Sequence, residues 1–317
     1  MFVIGVDIGG TSIKGGAVDL SGNIISKFSL PIVKGDSGEK IINDLADLIN
    51  LYIAENNFNK NDILGIGIGC PGSIDSVNGV VDYSNNLNWS NLPLVKIIKD
   101  KTSLNVKITN DANAATLGEA TFGAGKLFNN VIMLTLGTGV GGGIIINKKL
   151  YEGNAGKGAE LGHSTLIMDG EPCTCSRRGC LEVYASATAL MKQGRKAAEE
   201  HPETIMLSIT NGDLSAIDGK VIFDACKQND ETAVMVVDNY IHYLGEGILN
   251  FCNIFRPDAI ILSGGVAKQG EYLTDKLTKY CSNRAYGYSC TPEVKILTGV
   301  LGYDSGLIGA ASLFIEK

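Results

Sequence analysis

Apolar and polar positions along this chain fall into two rhythms. "VIGVDIGGTSIKGGAVD" (3–19) and "VIMLTLGTGVGGGIIIN" (131–147) each place two β-branched runs around a Gly-Thr turn, which predicts strand, turn, strand. The first is followed by a further strand-like run, "GNIISKFSLPI", and then by a helical period. In "DSGEKIINDLADLINLYIAEN" the apolar residues Ile41, Ile42, Leu45, Leu48, Ile49 and Ile53 share one face, and Asp36 with Glu39 suits a capping-box start. "ILGIGIGCPG" (63–72) predicts a buried strand ending in a turn. A long amphipathic helix is predicted over 231–255, followed by "RPDAIILSGGVAKQG", a buried strand whose Gly-Gly turn opens a helix.

Two such halves, each a β-hairpin with helices and a glycine turn, predict two α/β domains around a cleft. The small-residue stretch "AATLGEATFGAG" (114–125) suits a hinge. It divides the chain into a smaller domain, 1–116, and a larger one, 117–301, with a terminal helix over 302–317 packing back on the first.

Glycine sharpens this picture. It supplies 40 of 317 residues, about 13% against roughly 7% in ordinary proteins. The glycines cluster at the ends of β-branched runs, where close backbone approach to phosphate or nucleotide needs them. A hydrophobic share of 44% with 19% charged residues is that of a soluble globular protein. The net charge of -7 argues against nucleic acid or an anionic membrane as partner. The first residues lack the basic segment of a signal peptide, and no apolar run approaches the roughly 18–20 residues of a membrane span. The eight cysteines therefore suit reduced thiols in a cytoplasm, some of them ligating metal.

In "DIGGTSIKGG" the backbone N–H groups freed by Gly9 and Gly10 can cradle phosphate oxygens, with the Thr11 hydroxyl adding a donor. Asp7 would repel phosphate and acts instead on Mg²⁺, through water. "GTGVGG" (137–142) matches G-x-G-x-x-G, but "GIIINKKLYEG" follows where a dinucleotide fold needs a helix. A phosphate-binding hairpin survives that comparison; a Rossmann motif does not. In "VKITNDANAATLGE", Asn110 and Asp111 follow a strand and precede a helix. Asp111 can take a proton from an attacking hydroxyl, and Asn110 can orient a polyhydroxy ligand. A helix N-cap is the commoner use of these residue types there, and one residue can do both.

Together, "DIGGTSIKGG", "CPGSID", "NLNW", "NDANAA", "LGTGVGGG", "ELGH", "CTCSRRGCLE" and "LSGG" resemble the ROK family of sugar kinases and repressors, in the family's order from residue 7 to residue 265. The resemblance implies the actin-like ATPase (ribonuclease H-like) fold. Among members it is closest in type to kinases that transfer phosphate from ATP to the 6-hydroxyl of glucose. Kinases of N-acetylmannosamine, another amino sugar, fructose or a β-glucoside are the alternatives, and polyphosphate is an alternative donor. A sugar-responsive repressor is the rival of another class. Such members carry a helix-turn-helix unit before the first strand, which here begins at residue 2.

By the same resemblance, Asp111 is the catalytic base, and Asn110, Glu160, His163 and Glu182 hold the sugar. Asp7, Gly9, Gly10, Thr11, Gly137, Thr138 and Gly139 line the ATP phosphates, with Gly264 and Gly265 on the adenosine side. His163, Cys173, Cys175 and Cys180 match a structural zinc set, and a homodimer is implied. Ser176 departs from the family's C-x-C-G-x-x-G-C-x-E run, standing where glycine is usual.

One imidazole and three thiols suit a closed tetrahedral Zn²⁺ shell, which leaves no position for a catalytic water. The remaining cysteines, Cys70, Cys226, Cys252, Cys281 and Cys290, read as unrelated reduced thiols, and no C-x-x-C is present for redox work. Glu160 precedes His163 by three residues and Glu182 follows Cys180 by two. A metal on this loop would therefore fix both glutamates, leaving a second nitrogen of His163 for a sugar hydroxyl. His201 and His242 lie in helical surroundings and read as structural or solvated.

Overall fold

Gly-Thr turns reverse the chain in the two places the pattern predicts, and each reversal starts a sheet. The computed structural model describes residues 1–287 and 293–315; Cys290 lies outside them. The strands are β1 (Phe2–Ile8), β2 (Ser12–Asp19), β3 (Ile24–Pro31), β4 (Ile63–Cys70), β5 (Ser73–Asp75), β6 (Val80–Ser84), β7 (Trp89–Leu92), β8 (Val106–Asn110), β9 (Val131–Leu136), β10 (Val140–Ile146), β11 (Lys149–Tyr151), β12 (Ala259–Ser263) and β13 (Lys295–Thr298). The helices are α1 (Gly38–Glu55), α2 (Leu94–Thr102), α3 (Asp111–Thr121), α4 (Glu182–Ala185), α5 (Ala187–Glu200), α6 (Ile205–Ile209), α7 (Gly219–Lys227), α8 (Glu231–Phe255), α9 (Glu271–Cys281) and α10 (Ser305–Ser312).

One sheet has the order β3-β2-β1-β4-β8 and the other β11-β10-β9-β12-β13. Renumbered within each sheet, both read 3-2-1-4-5. In the first, β1–β2 and β2–β3 are antiparallel while β1–β4 and β4–β8 are parallel. In the second, β10–β11 is antiparallel while β9–β12 and β12–β13 are parallel. This duplicated order is the actin-like ATPase fold. A third sheet, β5-β6-β7, is short.

The chain forms two compact units. The first takes Met1–Asn129, Gly143–Ala159 and the chain from Val300; the second takes Asn130–Gly142 and Glu160–Gly299. The expected hinge over 114–125 is corrected here. Residues 114–121 lie inside α3, and the first unit runs on to Asn129. Their small side chains serve packing: a Cβ on Gly118 would sit 2.6 Å from Ser305 O, and one on Gly309 would sit 1.7 Å from Ala114 O. The two helix backbones are in contact, which only small residues permit.

The strand period of two decides what each face of β1 meets. Ile4, Val6 and Ile8 join Ile42, Leu45 and Ile49 of α1 in the main core of the first unit. Val3 packs with Leu307 and Ala311 of α10 on the other face. Asp7 shares that second face and lies against Gly306. α1 begins one residue later than the capping-box reading: Ser37 is the N-cap and accepts from Lys40 N. Asp36 instead pairs with Lys40 Nζ at 2.8 Å. The terminal helix is shorter than 302–317, covering Ser305–Ser312 after a 3-10 turn at Gly302–Asp304. In the second unit the 25-residue α8 buries its apolar face, including Val236, Tyr240, Leu244 and Ile248. Among the described residues, no helix is long and apolar enough to cross a membrane.

Candidate active site

In the first unit, the carboxyl ends of the parallel strands gather the titratable groups. Asp7 of β1 pairs in register with Gly69 of β4, and Gly69 with Thr109 of β8. Cys70 and Asn110 form the next pair, and Asp111 opens α3. Strand ends of this kind are where open α/β sheets bind ligands. Burial holds the Asp111 carboxyl above its ordinary range, against the opposing hydrogen bond from Ala112 N. Burial, and then the charge of Asp111, push Asp7 up to about 6. A like charge so close favours the protonated form of Asp7, while burial alone raises the proton affinity of Asp111. Burial and these same charges push the Cys70 thiol up, so it is inert.

Asn110 is the N-cap of α3: its Oδ1 accepts from Ala112 N at 2.8 Å and Asn113 N at 3.4 Å. Its Nδ2 donates to Gly72 O at 3.1 Å. The cap and Gly72 orient this amide beside Asp111. Sequence reasoning passed over three polar atoms nearby in the chain. Ser84 Oγ, Trp89 Nε1 and Asn113 Oδ1 are buried without a hydrogen-bond partner. Ser84 pairs with Trp89 across β6–β7, and a Cβ on Gly72 would meet Ser84 Cβ at 3.0 Å. The "NLNW" segment was the available signal, but hydrogen-bond satisfaction is a property of the folded chain. Thr109 donates to Glu152 Oε1 at 2.6 Å, bracing the strand end below Asn110.

The predicted phosphate loops differ in what their glycines are for. Gly9, Gly10 and Thr11 form the β1–β2 turn, closed by Gly9 N donating to Ser12 O at 3.0 Å. Gly137, Thr138 and Gly139 form the β9–β10 turn. A Cβ on Gly10, Gly137 or Gly265 would meet nothing within 4 Å, and none of the three has positive φ. The protein's own packing therefore does not demand glycine at these three places, whereas close approach of a ligand would. Gly264 is different, with φ of 90° and a would-be Cβ 2.5 Å from Leu136 O. Gly265 also lines a cavity of about 530 Å³ together with Ala187, Asp218, Phe223, Lys227 and Gln269.

The Cys/His cluster of the second unit is brought together as the spacing suggests. The metal-capable atoms of His163, Cys173, Cys175 and Cys180 all lie within 4.8 Å of one another. Cys175 Sγ is 3.6 Å from Cys180 Sγ, and Cys173 Sγ is 3.6 Å from His163 Nδ1. Tetrahedral zinc, bonded to sulfur at about 2.3 Å and nitrogen at about 2.0 Å, sets ligand separations of about 3.5–3.8 Å. The donor set fits zinc in kind and in spacing, and none of these thiols is in a disulfide. Burial pushes Cys180 up to about 12, so it needs a cation to be a thiolate. With Nδ1 on the sulfur side, His163 keeps Nε2 for another partner. Ser176 adopts φ of 68°, the left-handed conformation that glycine would take without strain.

Glu182, at the start of α4, accepts from Val140 N at 3.0 Å through Oε2 and from Thr174 Oγ1 at 3.4 Å through Oε1. A Cβ on Gly139 would stand 2.1 Å from that Oε2. Glu160 is exposed, and its carbonyl accepts from His163 N at 3.1 Å. The six predicted residues of the first unit and the eleven of the second are thus placed on strand ends, turns, helix starts or the cysteine loop of their own unit.

A family model described as the ROK family matches residues 3–317. The chain belongs to the ROK family. Among ROK relatives, a glucokinase from Halalkalibacterium halodurans is 36% identical over 316 residues, covering 99% of this chain and 95% of the relative. A xylose repressor from Bacillus spizizenii is 33% identical over 315 residues, with 99% of this chain and 77% of the repressor covered. The crystal structure of a ROK family glucokinase from Streptomyces griseus in complex with glucose and AMPPNP is 37% identical. It superposes with a TM-score of 0.80 over 99% of both chains.

Proposed function

We propose that this ROK protein is an ATP-dependent hexose kinase that phosphorylates the 6-hydroxyl of glucose. The observation that carries the chemistry is the buried Asp111, its carboxyl shifted upward by that burial, at a strand end beside Asp7. The kinship with glucokinases carries the substrate class.

Asp111 accepts the proton of the sugar 6-hydroxyl as that oxygen forms its bond to the γ-phosphorus. The bond from phosphorus to the β,γ-bridging oxygen breaks in line, and ADP leaves. Burial raises the proton affinity of this carboxyl, which makes it a stronger base than an exposed aspartate. Asn110, Glu160, His163 and Glu182 orient the sugar hydroxyls, with Nε2 of His163 the nitrogen available for one of them. Asp7 would hold Mg²⁺ through water, and that ion would neutralise charge on the transferring phosphate. Gly9, Gly10, Thr11, Gly137, Thr138 and Gly139 offer backbone N–H groups to the phosphates. Gly264 and Gly265 admit the nucleoside to the cavity of the second unit. His163, Cys173, Cys175 and Cys180 would hold a structural zinc. The protein acts in the cytoplasm, as a homodimer.

Asp111→Asn tests the reading. Turnover in a coupled ADP-release assay should fall by about 10²–10⁴-fold, while glucose affinity by calorimetry stays within a few-fold. Turnover near wild type would remove Asp111 from the mechanism. A panel of hexoses in the same assay, with ATP or polyphosphate, ranks substrate and donor.

A further inference from the structure

The carboxylate of Glu182 occupies the space that a side chain at position 139 would need. Gly139 has no positive φ, so its missing Cβ serves this contact, unlike that of Gly137, which faces open space. The Val140 N–H that Glu182 accepts belongs to a 5%-exposed residue, where an unmet donor is costly. The same short segment holds the turn a second time, through Ala187 N donating to Gly137 O at 2.8 Å. On its other side the segment is fixed to the cysteine loop. Cys180 and Leu181 are fully buried, Leu181 N donates to Ser164 O at 2.9 Å, and Thr174 caps Oε1 of Glu182.

We infer that Glu182 is a positioning residue for the phosphate loop Gly137–Val140, through which the metal-held loop sets nucleotide affinity as well as sugar affinity. This rests on the kinase reading above. The sequence places Glu182 among the sugar ligands only, with zinc as a frame for the sugar. In the folded chain its two oxygens are divided between the phosphate turn and the cysteine loop. Loosening the cysteine loop withdraws Thr174 from Oε1 and frees Glu182 to leave Val140 N.

The test measures AMPPNP·Mg²⁺ binding by calorimetry with no sugar present, so that a role on sugar hydroxyls is silent. Glu182→Ala, with zinc content unchanged, should weaken AMPPNP by about tenfold, the cost of a lost bond to a charged acceptor. Glu182→Gln keeps an oxygen for Val140 N and should recover most of that loss. Its glucose affinity, which depends on the charge, should stay reduced. Thr174→Val, which leaves all four metal donors in place, should weaken AMPPNP in the same direction. Zinc-free protein with an unchanged circular-dichroism spectrum should also bind AMPPNP more weakly. Wild-type AMPPNP affinity in Glu182→Ala, or in such zinc-free protein, would overturn the inference. Failure of the wild-type protein to bind AMPPNP would instead overturn the kinase reading beneath it.

Discussion

Asp7 shows how far one side chain can be read before and after folding. Its place after a β-branched run and before Gly9-Gly10 marks it as a phosphate-site acid in sequence. Burial and the neighbouring Asp111 then raise its pKa to about 6 from 3.8. The sign follows from linkage: a carboxyl whose folded pKa is raised binds its proton more tightly in the native state. Its ionisation therefore destabilises the fold progressively as pH rises from about 4 to about 6, and the cost stays above that. About two units correspond to about 3 kcal/mol. Asp7→Asn should be more stable than wild type by up to that amount at pH 8, and nearly equal at pH 4. Urea denaturation at the two pH values measures it, and a variant no more stable at pH 8 contradicts the account. The residue types at Asp7, Asp111 and the cysteines were legible in sequence because their chemistry is local. The orphaned Ser84, Trp89 and Asn113 atoms were not, because only packing decides which polar groups lose water. Ser176 belongs between these cases. The sequence raises a question about loop shape there, and the structure answers that serine takes the left-handed conformation, at about 1–2 kcal/mol of strain.

Among the elements, α3 and α10 carry the clearest lesson. The run "AATLGEATFGAG" reads as a hinge because small residues and glycine suit one. The same residues suit a helix–helix contact so close that backbone meets backbone. Gly309→Ala puts a Cβ 1.7 Å from Ala114 O, where neither helix can yield. We expect a loss of about 2–3 kcal/mol, read as a lower melting temperature with the cysteine loop untouched. A fully stable Gly309→Ala protein would mean the contact is looser than described. Glu119 acts in the same region: buried in α3, it accepts from Ala124 N at 2.9 Å and Leu301 N at 2.8 Å. The chain on either side of this buried carboxylate is thereby pinned to α3. The strands β1–β4, β8–β10 and β12, in contrast, were legible, since alternation and glycine turns are local signals, whereas the short β5-β6-β7 sheet and β13 were not predicted. The capping of α1 shifted by one residue because Asp36 found Lys40 and left the cap to Ser37.

For the protein taken together, the cysteine loop supplies what regular structure does not. Residues 164–181 contain no helix or strand beyond two isolated bridges, Thr165–Cys180 and Pro172–Arg178. A metal bound there would replace the missing core, and its binding energy would become folding energy for the loop. Metal analysis should find one zinc per chain. A strong chelator should lower the melting temperature by several degrees, leave far-ultraviolet circular dichroism nearly constant, and weaken glucose binding. Absence of zinc from freshly purified protein, or an unchanged melting temperature after its removal, would exclude this role.

What the amino-acid order determined by itself is set by short-range physics. Hydrophobic period predicts the strands and α8, glycine placement predicts the phosphate turns, and cysteine spacing predicts the metal loop. Each signal is complete within some twenty residues. What only folding decided depends on residues far apart in the chain. Residues 143–159 join the first unit, α3 is a packed helix instead of a hinge, and the charge of Asp111 raises the proton affinity of Asp7. Glu182 reaches the turn 42 residues earlier, at Val140. Burial, close approach and satisfied hydrogen bonds are properties of pairs in space, and a one-dimensional pattern holds no record of them.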